Sequence, residues 1–214
     1  MPLSSVFPSG GSPEVVAVMI GDGRYEYHDK AATSLASSGV LARAGHVVQI
    51  DDRDHVLGFR GAMALAWRLA AATGAKWVFH AELDFTYPAP VPLDDMIAVL
   101  DENPHLSQMS LKRQPVNAEE RAAGGIVELS PDEYLQFGDG RGYRWIETTR
   151  FSFTCNPSVY RAELCELGWP DAEHSEGLFS ARLRGQGLRT GIWGELYDEP
   201  RTIHIGDVRA GTGY

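Results

Sequence analysis

The sequence predicts an α/β fold in which helices cover both faces of a mixed, mainly parallel sheet. Between residues 15 and 112, apolar runs of strand length alternate with segments that have helical periodicity. The chain of 214 residues fits one medium-sized domain. Its 43% hydrophobic and 22% charged residues are typical of a globular protein with a buried core.

Four apolar runs are predicted to form the strands of this sheet, and each ends at polar or turn-forming residues. These strands are residues 15–20, 46–50, 76–80 and 106–112. The predicted helices are residues 29–38, 59–72, 93–102 and 176–184. From residue 116 to residue 154 the alternation weakens into short strand-like runs and Gly-rich loops. Residues 1–13, with three Pro, four Ser and two Gly, are predicted to be a flexible lead-in.

Charge and cysteine content narrow the class of protein. The net charge of −10 is unlike that of a general nucleic-acid binder, although a local basic groove is compatible with it. Two cysteines, Cys155 and Cys165, are too few for a disulfide framework and are expected to be reduced. The sequence has neither a secretory signal pattern nor an apolar run of the roughly 20 residues that span a membrane. We therefore expect a soluble, cytoplasmic protein.

Acidic residues follow three of the predicted strands. In an open α/β sheet, ligands bind beyond the carboxyl ends of the strands. The polar residues at these ends are Asp22 and Arg24, then Asp51 and Asp52, then Glu82 and Asp84. Asp and Gly also make ordinary loops after strands, which is the alternative for any single end. Three acidic ends together indicate a site for a cation or a nucleotide.

The most informative motif is the acid-x-acid pair formed by Glu82 and Asp84, directly after a buried strand. Residues i and i+2 of an extended chain point to the same side, so the two carboxylates are predicted to share one cation. Mg²⁺ and Mn²⁺ prefer oxygen ligands of this kind and commonly bridge to substrate phosphates. The alternative is a solvated strand end without a ligand.

The order of these features resembles the nucleotide-binding half of GT-A glycosyltransferases, particularly family 2-like enzymes, and is similar to the small versions carried by bacteriophages. That order is strand, Asp-Gly turn, helix, strand, Asp-Asp, helix, strand and acid-x-Asp. The resemblance implies one GT-A-like (Rossmann-like) domain over residues 14–214, with a nucleotide-binding half at 14–114 and an acceptor half at 115–214. It also implies that Glu82 and Asp84 bind Mn²⁺ or Mg²⁺ on the diphosphate of a nucleotide sugar.

The same resemblance implies a donor-binding set and a third metal ligand. The expected donor-binding residues are Gly21, Asp22, Arg24, Asp51, Asp52, Arg60 and Arg209. Several GT-A enzymes supply a further metal ligand from a late histidine, a role that falls to His204 here. Arg209, in the Gly/Arg loop that follows, would contact phosphate through charge-assisted hydrogen bonds. The alternative for His204 is a C-terminal strand with one polar residue.

A late segment resembles the family pattern Glu-Asp-x-x-Leu-x-x-Arg. Glu176 falls where the family has its catalytic Asp, and Arg182 falls at the Arg position, but Ser175 replaces the preceding acid. The resemblance therefore implies that Glu176 is the general base, and a shift in register would move that role to Glu173 or Asp171. The alternative is an acid that the helix dipole favours in the first turn.

A basic and aromatic stretch is the candidate acceptor surface. Its residues are Arg141, Tyr143, Arg144, Trp145 and Arg150. Such a mixture suits contacts with backbone phosphates and stacking on bases. Phage enzymes that resemble this chain are associated with modified bases in phage DNA and with phage structural proteins. The stretch favours a 5-hydroxymethylated pyrimidine in DNA as acceptor; the alternatives are Ser or Thr of a phage protein, or a solvated loop with buried aromatics.

Together these features predict a metal-dependent glycosyltransferase that uses a nucleotide sugar, with a UDP-sugar expected, and acts in the host cytoplasm if phage-encoded. A nucleotidyltransferase is a second possibility, although the loop from Gly21 to Arg24 is too short and too acidic for its usual basic, Gly-rich loop. A non-catalytic module that binds nucleotide sugars is a third. Release of pyrophosphate would indicate the second, and tight binding without turnover would indicate the third.

Overall fold

Residues 3–206 of the chain are described by the computed structural model, and nine strands in this range form one sheet. Two short strands pair separately. The strands are β1 (Leu3–Pro8), β2 (Ser12–Gly21), β3 (Ala44–Asp51), β4 (Trp77–Glu82), β5 (Phe85–Thr86), β6 (Leu106–Leu111), β7 (Tyr134–Gly138), β8 (Arg144–Thr148), β9 (Ser158–Arg161), β10 (Arg189–Trp193) and β11 (Ile203–His204). The helices are α1 (Tyr25–Ser37), α2 (Val40–Arg43), α3 (Gly58–Ala72), α4 (Leu93–Glu102), α5 (Ala118–Ala123), α6 (Ile126–Leu129), α7 (Glu163–Glu166) and α8 (Ser175–Gly185).

The large sheet has the strand order β1-β3-β2-β4-β9-β6-β10-β8-β7. Six of its nine strands point the same way, and β1, β8 and β9 run against them. The carboxyl ends of β2, β3, β4, β6 and β10 therefore lie along one edge. The predicted mixed, mainly parallel sheet is confirmed, and this shared edge is where a ligand site is expected.

Helices pack on both faces of the sheet, as predicted. Alternate residues of 15–20 in β2 belong to two different apolar clusters, one on each face. One cluster includes residues of α1, α2 and α4, and the other includes residues of α3, α7 and α8. A strand buried on both faces is apolar at every position, which explains the continuous run in the sequence.

The N-terminal lead-in differs from the prediction. Residues 3–8 form the edge strand β1, which pairs antiparallel with β3 from Leu3 opposite Asp51 to Pro8 opposite His46. Without β1, the backbone N–H and C=O groups on the outer edge of β3 would lack hydrogen-bond partners. Pairing with β3 therefore makes residues 3–8 a strand, although their composition is rich in Pro and Ser. The two predicted halves also share the sheet, because β9 from the second half lies between β4 and β6 from the first.

Two further expectations concern the cysteines and the membrane. Cys155 and Cys165 are both buried and free, as expected for reduced thiols. In the part of the chain from residue 3 to residue 206, every helix is too short or too polar to span a bilayer.

Candidate functional site

The structure brings five predicted site residues to one small cavity at the carboxyl edge of β2 and β4. Gly21, Asp22, Arg24, Glu82 and Asp84 line it, and its volume is about 30 Å³. A larger concavity of about 520 Å³ lies at the opposite edge of the sheet. Exposed ion pairs such as Lys76 with Glu14, 2.6 Å apart, flank that concavity, and no predicted site residue lines it. The smaller cavity is therefore the candidate site.

Arg24 is the centre of the polar network around this cavity. Its Nε donates to both carboxylate oxygens of Asp22, at 2.9 and 2.7 Å. Its Nη2 donates to Oδ2 of Asp84 at 2.9 Å, and its Nη1 donates to the carbonyl of Gly206 at 3.3 Å. One guanidinium thus joins the loop after β2, the acid motif after β4 and the end of the described chain. Its planar fork suits such multiple carboxylate contacts.

His204 reaches the same carboxylate from the C-terminal segment. Its Nε2 lies 3.1 Å from Oδ2 of Asp84. The strand β11 that carries it pairs antiparallel with β5, and Gln114 hydrogen-bonds both its backbone carbonyl and its backbone N–H, at 2.8 and 2.7 Å. Its ring also packs 4.8 Å from the ring of Phe85. The predicted meeting of His204 and Asp84 is therefore present in the fold.

The geometry of the acid-x-acid motif differs from the extended one that its spacing predicts. The strand β4 ends at Glu82, and the chain turns at residues 83–84. Leu83 is buried in the core, and its N–H donates to the carbonyl of Ile20 at 2.8 Å. Because the core takes up this apolar side chain, the backbone bends. Glu82 and Asp84 still line the same cavity, but across a turn instead of along one face of a strand.

The chemistry of these side chains fits a divalent cation in part. Asp84 and His204 form an adjacent carboxylate and imidazole pair, and Glu82 lines the same cavity. Mn²⁺ and Mg²⁺ often take only one or two protein ligands and complete their coordination with phosphate and water. Within residues 3–206 no three His, Cys, Asp or Glu side chains are close enough to hold a metal. A cation on Oδ2 of Asp84 would also have to displace Nη2 of Arg24, which now donates to that oxygen. The assignment of Glu82, Asp84 and His204 as metal ligands stays a prediction.

The two acids after β3 have different surroundings. Asp52 is fully buried, and its carboxylate accepts hydrogen bonds from the backbone N–H groups of Val56, Leu57 and Gly58, at 2.9, 3.0 and 2.7 Å. Those bonds hold the loop that leads into α3, which is a structural task. Asp51 is also buried, and its carboxylate accepts hydrogen bonds from the backbone N–H and the Nε of Arg53, at 3.2 and 3.1 Å. A nucleoside-binding role for Asp51 stays a prediction.

Sequence reasoning missed His28, which lies beside Asp51 in the first turn of α1. Its ring covers Gly21 so closely that a Cβ there would meet its Cε1 at 2.4 Å. Burial lowers the pKa of His28. The nearby carboxylates of Asp51 and Asp22 act in the opposite direction and raise it, but burial has the larger effect. Arg53, also missed, donates to Asp51 from its Nε at 3.1 Å. The helix begins at Tyr25 instead of the predicted residue 29, so His28 was assigned to a loop.

Glu176 lies in the first turn of α8 and contacts the segment between β8 and β9. Its carboxylate accepts a hydrogen bond from the backbone N–H of Cys155 at 3.3 Å. Burial raises the pKa of the Cys155 thiol, and the charges of Glu176 and Glu82 raise it further. Burial also raises the pKa of Glu176 itself. A partly buried carboxyl with a raised pKa has the properties of a general base.

The other acids predicted as alternative bases are exposed. Glu173 is on the surface of the loop before α8, and Asp171 lies 3.4 Å from Arg60 in an exposed ion pair. Arg60 was predicted to bind the donor, and here it pairs with Asp171 at the start of α3. Arg209 lies outside the described residues. Glu176 is therefore the candidate base with the most suitable surroundings.

The first part of the predicted acceptor stretch packs against α4. Arg141 donates to Asp139 from its Nε at 2.8 Å and to Glu102 from its Nη2 at 2.9 Å. Its guanidinium also lies 4.7 Å from the ring centre of Tyr143. The hydroxyl of Tyr143 donates to Asp95 at 2.7 Å. In this structure the charged and polar groups of both residues are engaged with acids of the protein.

The rest of the stretch is divided between surface and core. Arg144 lies 3.3 Å from Glu195, and Arg150, past the other end of β8, lies 3.2 Å from Glu133. Trp145 is buried, and its indole N–H donates to a buried carboxylate 3.0 Å away. The five predicted acceptor residues thus do not converge on one surface. Trp145 is a buried aromatic residue, which is the alternative to an acceptor-binding role.

Comparison with solved structures identifies the fold as GT-A-like. The chain superposes on A197 from STIV with a TM-score of 0.51 and 10% sequence identity, covering 85% of this chain and 82% of that one. At this identity the likeness shows the fold alone. A second match, CMP:2-keto-3-deoxy-manno-octonic acid synthetase complexed with CTP, has 11% identity over 84% of this chain and 89% of that one, but its TM-score of 0.40 is too low to support an argument. No protein-family model and no curated protein matches the sequence.

Proposed function

We propose that the protein is a glycosyltransferase that moves a sugar from a nucleotide-diphosphate donor to a hydroxyl acceptor. The observation that carries this proposal is the meeting of Asp22, Arg24, Asp84 and His204 at the carboxyl edge of β2 and β4 in a GT-A-like fold. In open α/β sheets this edge is the usual place for a nucleotide.

The donor is proposed to lie across the ends of β2, β3 and β4. The nucleoside would lie against Gly21, between His28 and Asp51, and the diphosphate near Arg24 and Asp84. Arg24 would bind phosphate oxygens through its guanidinium fork. If a divalent cation is bound, the adjacent Asp84 and His204 would hold it, with Glu82 in the lining of the same cavity, and the cation would neutralise charge on the leaving diphosphate.

Glu176 is proposed as the base. Its carboxylate takes the proton from the acceptor hydroxyl as that oxygen forms a bond to the anomeric carbon. The bond between the anomeric carbon and the phosphate oxygen breaks, and the nucleoside diphosphate leaves with the bonding electrons. A base on the acceptor side gives an inverting transfer. The raised pKa of Glu176, caused by burial, improves its match to a proton acceptor at neutral pH.

For the donor and acceptor we propose a UDP-sugar and a 5-hydroxymethylated pyrimidine in phage DNA. The sequence of Arg141 to Arg150 supports this acceptor, and the ion pairs of these arginines would have to open for phosphate contacts. The alternative acceptor is Ser or Thr of a phage structural protein, which the assays below separate from DNA.

A thermal-shift panel of nucleotide sugars, each with and without Mn²⁺, tests the proposal. We expect one nucleotide sugar to raise the unfolding temperature, more strongly when Mn²⁺ is present, because ligands stabilise the state that binds them. The same donor should then be consumed with release of its nucleoside diphosphate. No stabilisation by any nucleotide sugar would contradict the proposal, and pyrophosphate release from a nucleoside triphosphate would replace it with nucleotidyl transfer.

A further inference from the structure

The segment between β8 and β9 lies in contact with both the sheet and α8. In the sheet, Gln108 of β6 is fully buried, and its strand is flanked by β9 and β10. In α8, Glu176 accepts a hydrogen bond from the backbone N–H of Cys155 at 3.3 Å. The segment therefore connects a strand in the middle of the sheet to the proposed base.

The side-chain amide of Gln108 binds both backbone groups of Thr154. Its oxygen accepts a hydrogen bond from the N–H of Thr154 at 3.0 Å, and its nitrogen donates to the carbonyl of Thr154 at 3.3 Å. The orientation of the amide follows from these partners, because the oxygen faces a donor and the nitrogen faces an acceptor. An unpaired amide at this fully buried position would cost its desolvation free energy, so both contacts are favoured.

One peptide group links Gln108 to Glu176. The carbonyl of Thr154 and the N–H of Cys155 belong to the same peptide, which is trans like every other peptide of the described residues. In a planar trans peptide the C=O and N–H bonds point in opposite directions. Gln108 therefore holds the carbonyl side of this peptide, and the N–H side is directed at the carboxylate of Glu176.

The other hydrogen-bond donors to this carboxylate belong to the same two residues. They are the hydroxyl of Thr154 and the thiol of Cys155. A hydrogen bond that stabilises the ionised form of a carboxyl lowers its pKa, so these contacts oppose the effect of burial on Glu176. The thiol is the titratable group that faces the carboxylate, and burial raises its own pKa so far that it stays neutral where Glu176 ionises.

We propose that Gln108 is a positioning residue that holds the Thr154–Cys155 peptide so that its N–H is directed at the carboxylate of Glu176. This inference rests on the proposed role of Glu176 as the base. A catalytic group has to be held within about 0.5 Å of its productive position by supporting contacts, and these are most precise when they come from rigid elements of the fold. A fully buried side chain in the middle of the sheet is such an element.

Direct measurement of the pKa of Glu176 tests the proposal without any substrate. Gln108→Met keeps a similar side-chain length and removes both hydrogen bonds to Thr154. The pKa can be followed by ¹³C NMR of the carboxyl group, with its signal assigned from Glu176→Gln. It should rise by about one unit in Gln108→Met, the size expected when a hydrogen bond to a charged group is lost. An unchanged pKa would overturn the proposal.

The pH profile of turnover gives a second readout. In Gln108→Met, turnover on the acid side of the profile should fall by about tenfold, because a one-unit rise in pKa leaves about one-tenth as much ionised carboxylate. The loss should become smaller as the pH rises, and the KM for the donor should not change. A loss of equal size at every pH would overturn the proposal, because it would not act through the ionisation of Glu176.

Ser107→Ala is the matched control. Ser107 precedes Gln108 in β6, and its hydroxyl donates to the carbonyl of Ser152 in the same segment. The variant removes a buried hydrogen bond to this segment and leaves the contacts of Gln108 in place. It should lower the unfolding temperature without changing the pKa of Glu176. An equal pKa shift in Ser107→Ala and Gln108→Met would show a general loosening of the segment and overturn the proposal.

A second variant covers the case in which Gln108→Met fails to fold. Gln108→Asn keeps a polar amide in the buried position but is one methylene too short to reach both backbone groups of Thr154. It should raise the pKa of Glu176 in the same direction, and an unchanged pKa in this variant would overturn the proposal as well.

Failure of the proposed function and failure of this inference are distinguishable. If Glu176→Gln keeps full turnover, Glu176 is not the base, and the NMR comparison still decides whether Gln108 orients the peptide beside it. If Glu176→Gln is inactive but neither Gln108 variant changes the pKa of Glu176, the base is correctly assigned and the role of Gln108 is wrong.

Discussion

Two regions of this molecule contain arginines paired with acids, and they differ in what the pairs connect. At the ends of β2 and β4, Arg24 joins Asp84, 60 residues away, to Gly206, 182 residues away. Along β8 and in the segments just before and after it, Arg141, Arg144 and Arg150 form separate pairs whose arginine side chains are 38% to 47% exposed. The same residue types thus make a convergent network in one region and scattered surface pairs in the other.

The difference shows that convergence and burial, more than residue composition, distinguish a site from a surface. Exposed ion pairs contribute little and open readily, whereas a partly buried network holds its members in one geometry. The strand β8 lies four positions from β4 in the sheet, which is about 19 Å at the usual strand spacing. The second region is therefore spatially separate from the cavity.

The largest effect is expected for the base. Glu176→Gln keeps the size of the side chain and removes its basicity, so turnover should fall by about 10²-fold or more while donor affinity is retained. In the unaltered protein, turnover should rise with pH through the pKa of Glu176, which burial raises, because only the ionised carboxylate accepts a proton. The measurement is the rate of nucleoside diphosphate release as a function of pH.

The control for this variant is Glu173→Gln, an exposed acid three residues earlier in the chain. It should leave turnover and its pH profile unchanged. If Glu173→Gln lowers turnover and Glu176→Gln does not, the base is Glu173, and the proposed role of Glu176 is wrong.

The next effect concerns Asp84. Asp84→Asn keeps the shape of the side chain but removes the charge that Arg24 and His204 contact. Hydrogen bonds to charged groups contribute about 1.5–3 kcal/mol, so donor affinity in the presence of Mn²⁺ should fall by about 10- to 100-fold. Calorimetric titration with the donor, with and without Mn²⁺, measures this. Asp94→Asn, at an exposed ion pair with Arg43, is the control and should bind the donor normally.

The sequence predicted the elements with a strong local pattern and missed those defined by distant contacts. The helix at 93–102 has the predicted bounds because its apolar period and its Asn-Pro stop are both local signals. The strand β9 has only four residues, and its neighbours β4 and β6 alone give it a place in the sheet. Short segments of this kind carry too little periodicity to predict.

The site shows the same limit. The acids after β2 and β4 were predicted because polar residues at strand ends share one edge of the sheet. The turn between Glu82 and Asp84 was not, because it depends on Leu83 packing into a core that the local sequence does not show. The roles of His28 and Arg53 likewise depend on their placement against Gly21 and Asp51.

The smallest effect is expected in the second region. Changing both Arg141 and Arg144 to Ala removes exposed ion pairs, so the unfolding temperature and the donor affinity should stay close to those of the unaltered protein. If this surface binds DNA, each lost phosphate contact should lower the slope of log affinity against log salt by about one unit. The measurement is a salt titration of DNA binding for the double variant and the unaltered chain.

The assay that decides the acceptor supplies hydroxymethylated DNA and a phage structural protein in parallel, each with the donor found in the thermal-shift panel. If Arg141 and Arg144 serve a DNA acceptor, the sugar should appear on the nucleosides, and the double variant should transfer it more slowly at low DNA concentration. Sugar found only on Ser or Thr of the protein, with no change in nucleoside mass, would remove DNA as the acceptor. The exposed pairs along β8 would then be ordinary surface, and the cavity at β2 and β4 would keep its proposed role, because that role does not depend on these arginines.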